Sequence, residues 1–337
     1  MTETIGKDAQ AAMTLAALSY LDSDKSSQEQ QKSIEKALTQ TDLPTQNKWQ
    51  LVWGPHTVHE NLSYIVQGPD KKFAYVARGT VPKDIKNLIE DADVGELHNL
   101  PWHHASHFSI QHQATPQISG GAVTGWKDLT KSGSNGWDDY LSSHLTSGST
   151  LLVVGHSLGG MLASVMGAYF YCQIKQAKLD ATVRLNTFAG QTAGTQSFAH
   201  AVDHYLDGTG RYYNDLDVIP KAFNYTDLES IKHLYPGGHH TPYCDEVYKW
   251  AVDGVQKLAE HRYFQPPHGT KLQSSVYHHK HYGMFNDLKG FAEELLCQHN
   301  TQLYLRLVGV PLDVVQKLPG GDHKWKEPPQ LPTGSLR

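Results

Sequence analysis

One stretch decides the fold: Leu151-Leu152-Val153-Val154-Gly155-His156-Ser157-Leu158-Gly159-Gly160. Its four leading apolar residues predict a buried β-strand, and the small-residue run Met161–Tyr171 that follows predicts a helix. A Gly-x-Ser-x-Gly sequence between a strand and a helix is typical of a nucleophile elbow, a strained turn that lifts the serine hydroxyl above the sheet. Glycines are needed there because a side chain would collide where strand and helix nearly touch. The stretch therefore predicts Ser157 as a nucleophile.

The remaining pattern alternates between strands and helices. Helical segments run to about Leu38 and a turn is predicted at Gly68-Pro69-Asp70. Six strands are predicted, at Lys48–Trp53, Leu62–Gln67, Phe73–Ala77, Leu151–Val154, Val183–Phe188 and Gly210–Asn214. Helices between the later strands indicate an α/β fold with a central, mostly parallel sheet that helices cover on both faces.

Composition narrows the possible functions. The 337 residues carry a net charge of −5 without a cluster of basic residues, which argues against nucleic-acid binding and against a polybasic membrane anchor. We expect no transmembrane segment and no secretion signal, and hence a cytoplasmic protein unless it is exported by a route that the sequence does not display. Cys172, Cys244 and Cys297 are expected to be free thiols because they lack metal-site spacing.

An acyl-transfer site also needs a carboxylate and a histidine, which follow the serine along the chain in the α/β-hydrolase order. Asp215 and Asp217 both follow a predicted strand, and Asp217 is favoured because Val218-Ile219-Pro220 comes directly after it. The chain has 21 histidines, and spacing alone leaves His278, His279 and His281 as candidates for the base.

Metal binding is the rival use of these histidines, since imidazole is a good zinc ligand. The candidate clusters are His103-His104-x-x-His107, His239-His240 and His278-His279-x-His281. Because none has paired Cys/His spacing, we expect a site without a metal or another cofactor.

Four segments in this order resemble the class 3 lipase family, the fungal-lipase-like branch of the α/β hydrolases. They are Val76-Ala77-Arg78-Gly79-Thr80, the elbow Gly155–Gly160, Thr187-Phe188-Ala189-Gly190-Gln191-Thr192-Ala193-Gly194, and Asn214-Asp215-Leu216-Asp217-Val218-Ile219-Pro220. The third segment departs from the family pattern, with Ala189 in place of a glycine and Gln191-Thr192 in place of Pro-Arg, and the second proline after the acid is absent.

The resemblance implies specific roles for individual residues. It implies Ser157 as nucleophile, Asp217 as acid and His281 as base, the last because His281-Tyr282-Gly283-Met284-Phe285 best fits the family's histidine segment. The backbone N–H groups of Thr80 and Leu158 correspond to the family's oxyanion hole. An α/β-hydrolase fold and cleavage of fatty-acyl esters through an acyl-enzyme follow as expectations, with phospholipase A1 or acyltransferase activity, or non-catalytic lipid binding, as alternatives.

The sequence pattern and this resemblance together suggest how the chain is divided into segments. We expect an N-terminal helical segment over 1–45, a catalytic domain over 46–310 and an irregular tail over 311–337. Within the domain, a lid is expected at about 81–108, since Asn87-Leu88-Ile89-Glu90-Asp91 is similar to the family's lid opening, and a helical insertion at about 224–270. Apolar residues scattered among charges suit a cover that meets a lipid–water interface.

Overall fold

The computed structural model describes residues 5–79, 95–131, 136–221, 223–224, 226–227, 230–231, 234–235, 263–276 and 293–319. Seven strands form the main sheet: β1 (Gln50–Val58), β2 (Asn61–Gln67), β3 (Lys72–Arg78), β6 (Thr150–His156), β7 (Thr182–Phe188), β8 (Asp207–Asn214) and β9 (Thr270–Leu272). Their order is β1-β2-β3-β6-β7-β8-β9, antiparallel from β1 to β3 and parallel from β3 onward. The expected mostly parallel sheet is confirmed.

A second, two-stranded antiparallel sheet pairs β4 (Leu97–Asn99) with β5 (Gln117–Ser119). The described helices are α1 (Lys7–Leu18), α2 (Ser27–Leu38), α3 (Gly120–Thr130), α4 (Trp137–His144), α5 (Leu158–Gln176), α6 (Gln196–Tyr205), α7 (Thr301–Leu307) and α8 (Leu312–Val315), with a 3₁₀ turn at Ala105–Phe108. Each of the six predicted strands lies within one of the observed strands of the main sheet or overlaps it.

Two apolar clusters fill the two faces of the sheet. Alternation along the strands divides them, because successive side chains of a strand point to opposite faces. Tyr75 and Val153 face α3–α6, whereas Val76 and Val154 face α1, α2, α7 and α8. The sheet is thus covered on both faces, and the N-terminal helices are one of the covers.

Part of the predicted lid belongs to the body of the protein. Trp102 is 6% exposed and Phe108 is fully buried, both within the first cluster, and β4 is paired with β5. Residues 97–108 are therefore anchored to the core by Leu100, Trp102 and Phe108, and the lid hypothesis is confined to residues 81–94, which lie outside the described residues.

The ends of the chain differ in part from expectation. Residues 312–315 form α8, and Val314 and Val315 are buried in the second cluster. The expectation that the whole segment from Pro311 is irregular is therefore wrong for these residues. Residues 236–262 of the helical insertion predicted at about 224–270 lie outside the described residues. Within the described ranges, no helix is long and apolar enough to cross a membrane.

Candidate active site

Ser157 lies at the sharp turn between β6 and α5. Its backbone has φ +61° and ψ −134°, a conformation that an L-residue adopts at a cost of about 1–3 kcal/mol. The turn is held by backbone bonds on both sides, since the Ser157 N–H donates to the Phe188 carbonyl at 3.0 Å and the Gly160 N–H donates to the Ser157 carbonyl at 2.8 Å. The local geometry is that of the predicted elbow.

Two glycines make this turn possible by their lack of a side chain. A Cβ on Gly155 would lie 1.9 Å from the Gly159 carbonyl oxygen, and a Cβ on Gly159 would lie 2.3 Å from the Ala77 carbonyl oxygen. Both contacts are to backbone atoms, which cannot rotate away. The start of α5 can therefore approach β3 and β6 only because these positions are glycine.

The acid candidate follows β8. Asp217 is fully buried, and its Oδ1 accepts a hydrogen bond from the Ile219 N–H at 2.9 Å. Its Oδ2 accepts from the Tyr304 hydroxyl at 2.8 Å. Asp215, the competing aspartate, is only partly buried and accepts a bond from the Ser274 N–H at 3.3 Å. Of the two predicted candidates, Asp217 alone is placed toward the serine.

His299 joins the serine to the acid. Its Nε2 lies 2.7 Å from Ser157 Oγ and its Nδ1 lies 2.8 Å from Asp217 Oδ2. The prediction of His281 as base is corrected to His299, because the one position that bridges these two side chains is occupied by the His299 ring. His281 itself lies outside the described residues.

The side-chain amides of Asn214 and Gln298 hold the chain segment that precedes His299 in place. His299 follows helical residues 293–298 and precedes Asn300, whose side chain caps α7. The Asn214 side chain donates to Gln298 Oε1 at 2.7 Å and to the Gln298 carbonyl at 2.9 Å, which ties the end of β8 to the residue before His299. The Tyr304 hydroxyl accepts the Asn214 N–H at 2.9 Å. Acid and base are thus positioned by one shared set of bonds.

Electrostatics keep the surrounding rings neutral. The His156 ring lies against the His299 ring, with centroids 4.9 Å apart, and burial together with the charge of His299 holds the pKa of His156 well below its ordinary value. Burial, reinforced by the Asp217 carboxylate, raises the pKa of Tyr304 well above its ordinary value. Tyr304 therefore remains a hydrogen-bond donor to Asp217, and a positive charge that develops on His299 meets a carboxylate without a competing cation at His156.

One of the two predicted oxyanion donors can be located. Leu158 is the first residue of α5, so its N–H belongs to the first turn, where no preceding helical carbonyl can accept it. This N–H is adjacent to Ser157, as an oxyanion hole requires. Thr80 lies outside the described residues and stays a prediction.

Two further predictions concern histidines and cysteines. In the described part of the chain, which includes His103, His104 and His107, no three His, Cys, Asp or Glu side chains come together as a group that could hold a metal ion. Cys172 and Cys297 are buried and are not joined in a disulfide, as expected, and Cys244 lies outside the described residues.

A strand–serine–helix elbow on a mostly parallel, helix-covered sheet defines a serine hydrolase of the α/β-hydrolase fold. Residues 74–226 match the family model of class 3 lipases. The match covers just under half of the chain, and over that part the chain is similar to class 3 lipases. The matched range runs from β3 through Ser157 to Asp217 and ends before His299, so the family match itself does not include the base.

The chain is similar to several solved lipases. M37 lipase superposes with a TM-score of 0.71 at 22% identity, over 92% of this chain and 95% of that one, and shows the same fold. The triacylglyceride lipase of Rhizomucor miehei matches with a TM-score of 0.45 at 18% identity, over 71% of this chain and 77% of that one. Lipase II of Rhizopus niveus matches with a TM-score of 0.45 at 15% identity, over 68% and 76%. No curated protein matches the sequence significantly.

Proposed function

We propose that this protein hydrolyses fatty-acyl esters through an acyl-enzyme on Ser157, with His299 as general base and Asp217 as its orienting acid. One observation carries the proposal: a buried, continuous chain of hydrogen bonds runs from Ser157 Oγ through both ring nitrogens of His299 to Asp217 Oδ2. Each of the three side chains is less than 10% exposed, so these bonds are formed out of water, where they are strongest.

The chemistry follows from the order of donors and acceptors. His299 Nδ1–H donates to Asp217, which leaves Nε2 as the acceptor for the Ser157 hydroxyl proton. Ser157 Oγ then attacks the ester carbonyl carbon, and the carbonyl oxygen becomes an oxyanion facing the Leu158 N–H and, on the prediction above, Thr80. His299 returns the proton to the departing alcohol, and a water molecule repeats the cycle to release the fatty acid.

Asp217 has two roles in this cycle. It keeps the proton of neutral His299 on Nδ1, and it stabilises the imidazolium that forms when Ser157 is deprotonated. Its oxygens accept bonds from Ile219 N–H and from the Tyr304 hydroxyl, which fix the carboxylate plane toward the ring. The carboxylate is thereby preorganised before substrate binds.

We further propose that residues 81–94 cover the acyl pocket and that substrate is taken from a lipid–water interface. The support is the sequence similarity of Asn87–Asp91 to the family's lid opening, together with the burial of Trp102 and Phe108 and the β4–β5 pairing, which give such a segment a fixed C-terminal anchor. An interfacial lid predicts a sharp rise in rate when substrate passes its micelle-forming concentration.

The experiment is an acyl-chain series of p-nitrophenyl esters, from acetate to palmitate, on wild type and Ser157→Ala. Wild type should prefer medium or long chains, and Ser157→Ala should lose on the order of 10⁶ in kcat. Labelling by a fluorophosphonate should give a single adduct on wild type and none on the variant. Wild type that is inactive on every ester and unlabelled would overturn the proposal in favour of non-catalytic lipid binding.

A further inference from the structure

A cavity of about 460 Å³ lies at the far end of the sheet from Ser157. It is enclosed by the first turn of α1, the linker that contains Thr45 and Trp49, and the amino ends of the parallel strands. We call it the amino-edge cavity. Its size is within the range that small-molecule sites occupy in proteins.

This cavity is separate from the candidate active site. Thr150, the first residue of β6, lines it, whereas Ser157 follows the last residue of the same strand. At about 3.3 Å per residue, seven strand residues separate the two places by roughly 20 Å. A head group bound at the Thr150 end of the cavity therefore lies far from the Ser157 hydroxyl.

The interior of the cavity is mainly apolar, with two buried polar side chains, Thr45 and Asn186. Ala9, Ala12 and Phe73 line it and are at most 3% exposed, and the partly buried Trp49 and Tyr212 add aromatic surface. An unbranched hydrocarbon chain is the kind of group that such a surface accepts, because burial of apolar area is favourable without directional requirements.

Thr45 and Asn186 are the buried polar side chains of the lining, 1% and 8% exposed. The Oγ1 atom of Thr45 is buried and has no hydrogen-bond partner among the described residues. Buried polar side-chain atoms are almost always hydrogen-bonded, so an unpartnered hydroxyl beside a cavity points to a polar atom of a ligand.

The mouth of the cavity is positively charged. Of the described residues that line it, Lys7, Lys48, Lys72 and Arg184 are basic and Asp8 is acidic, on a protein whose net charge is −5. These five side chains are exposed or half-buried, so they surround the opening rather than the floor.

The first turn of α1 adds to this positive potential. Its N-cap is Gly6, which offers no side-chain acceptor. The Ala9 N–H donates to the Gly6 carbonyl at 3.0 Å, whereas the Lys7 and Asp8 N–H groups precede the hydrogen bonds of the helix. A helix N-terminus of this kind favours a negative group in front of it. The N-terminus of α1 and the basic side chains thus both favour an anionic group at the mouth of the cavity.

We propose that the amino-edge cavity is a second ligand site, which binds an amphiphile with one apolar chain and one anionic head group. The chain lies along Ala12, Phe73 and Trp49, and the head group lies at the mouth near Lys7 and Lys72. A fatty-acid carboxylate and a single-chain phosphate share this chemistry. The assignment rests on the lining alone and stands whether or not Ser157 is a nucleophile.

Calorimetric titration with dodecanoate below its micelle concentration tests the proposal. The protein is first treated with a long-chain fluorophosphonate, so that any acyl pocket at Ser157 is filled; if no adduct forms, the proposed function fails while the titration proceeds on the untreated protein. We expect one dodecanoate bound per chain. Dodecyl phosphate in a parallel titration identifies the preferred head group, and weaker binding of inorganic phosphate and of dodecyltrimethylammonium is expected.

Variants locate the bound molecule. Lys7→Glu/Lys72→Glu should raise the Kd for dodecanoate at least about tenfold, since two favourable charges at the head group become unfavourable. Thr45→Val should raise it about threefold to tenfold by removal of the hydroxyl. Lys32→Glu, on the exposed side of α2, is the matched charge-reversal control and should leave the Kd within about twofold.

Three results would overturn the proposal. The first is the absence of saturable dodecanoate binding. The second is a Kd that Lys7→Glu/Lys72→Glu and Thr45→Val leave unchanged while both variants unfold at the wild-type temperature. The third is equally tight binding of inorganic phosphate or of dodecyltrimethylammonium, which would mean that the chain or the charge of the ligand is not recognised.

Discussion

Replacement of His299 by alanine is the perturbation that tests the assignment of the base. Its Nε2 is 2.7 Å from Ser157 Oγ, a distance at which it can accept the hydroxyl proton directly. Without it, Ser157 must lose its proton to water, and loss of the base in a triad costs on the order of 10⁶ in kcat. At about 1.36 kcal/mol per factor of ten, this loss corresponds to a barrier increase of roughly 8 kcal/mol.

The assay is the kcat for a p-nitrophenyl ester at neutral pH, with thermal unfolding as the check that each variant is folded. The matched control is His281→Ala, because His281 is the histidine that the family resemblance favours. His299→Ala should fall to background, whereas His281→Ala should stay within about tenfold of wild type, since the role of base is already filled.

The outcome that refutes this reasoning is equally definite. If folded His299→Ala keeps more than about one hundredth of the wild-type rate, the hydrogen-bonded ring is not the base. If His281→Ala loses as much activity as His299→Ala does, the base assignment is reopened, because a single acyl-transfer site needs only one such group. Reduced fluorophosphonate labelling of His299→Ala provides an independent measure of the reactivity of Ser157.

Three further predictions concern the supports of the site. Tyr304→Phe removes a hydrogen bond to the ionised Asp217 and should lower the free energy of unfolding by about 1.5–3 kcal/mol in urea titrations, with a smaller kcat; unchanged stability and kcat would contradict the role of the hydroxyl. His156 stays neutral when folded but takes up a proton below about pH 6.5 when unfolded, so stability should fall as the pH falls below that value, by up to about 1.4 kcal/mol per pH unit, and His156→Gln should flatten this slope in denaturant unfolding between pH 5 and 8. Gly159→Ala places a Cβ 2.3 Å from a β3 carbonyl oxygen and should cost more than about 3 kcal/mol in thermal unfolding, whereas Gly167→Ala, on the same helix beside a flexible leucine end, should cost little; equal losses would mean that the elbow contact is not special.

The elbow could be predicted because its causes are local. Gly155, Ser157 and Gly159 are within five residues, and the contacts that forbid a side chain at the two glycines are made largely by the elbow itself and by the adjacent β3. Strand alternation and the apolar run of β6 were readable for the same reason. The elbow and β6 can be predicted from the sequence because the residues that interact in them are close together along the chain.

The base could not be predicted because its position is set at long range. His299 is 82 residues beyond Asp217 and 142 beyond Ser157, and it is one of 21 histidines. No strained backbone or motif marks it, and the histidine-rich run that ends at His281 gave a stronger local signal. One weaker signal was available: His299 directly precedes Asn300, a good helix N-cap, and such junctions bring a side chain to the end of a helix.

Other features could not be predicted for a related reason, since they depend on contacts with distant segments of the chain. β9 has only three residues, Thr270–Leu272, and exists because β8 offers it an edge to pair with. Gln265 was also not predicted; its side-chain amide donates to the Gly190 carbonyl at 2.9 Å and to the Pro220 carbonyl at 3.0 Å. It joins the loop after β7 to the loop after the acid, a role that no local pattern indicates.

The contacts of His299 give the second face of the sheet a role beyond packing. The segment that ends in α7 carries both His299 and Tyr304. The proposed base and the hydroxyl that donates to Asp217 are therefore positioned by the same stretch of chain. On the same face, the Tyr20 hydroxyl, two residues after α1, donates to the His156 carbonyl at 3.3 Å, directly before Ser157. Gln10 in α1 donates to the Val308 carbonyl at 3.1 Å, just after α7. Because α1 contacts both the elbow strand and the segment that carries the base, the N-terminal helix helps to set the distance between Ser157 and His299, although it lies outside the range that matches the family.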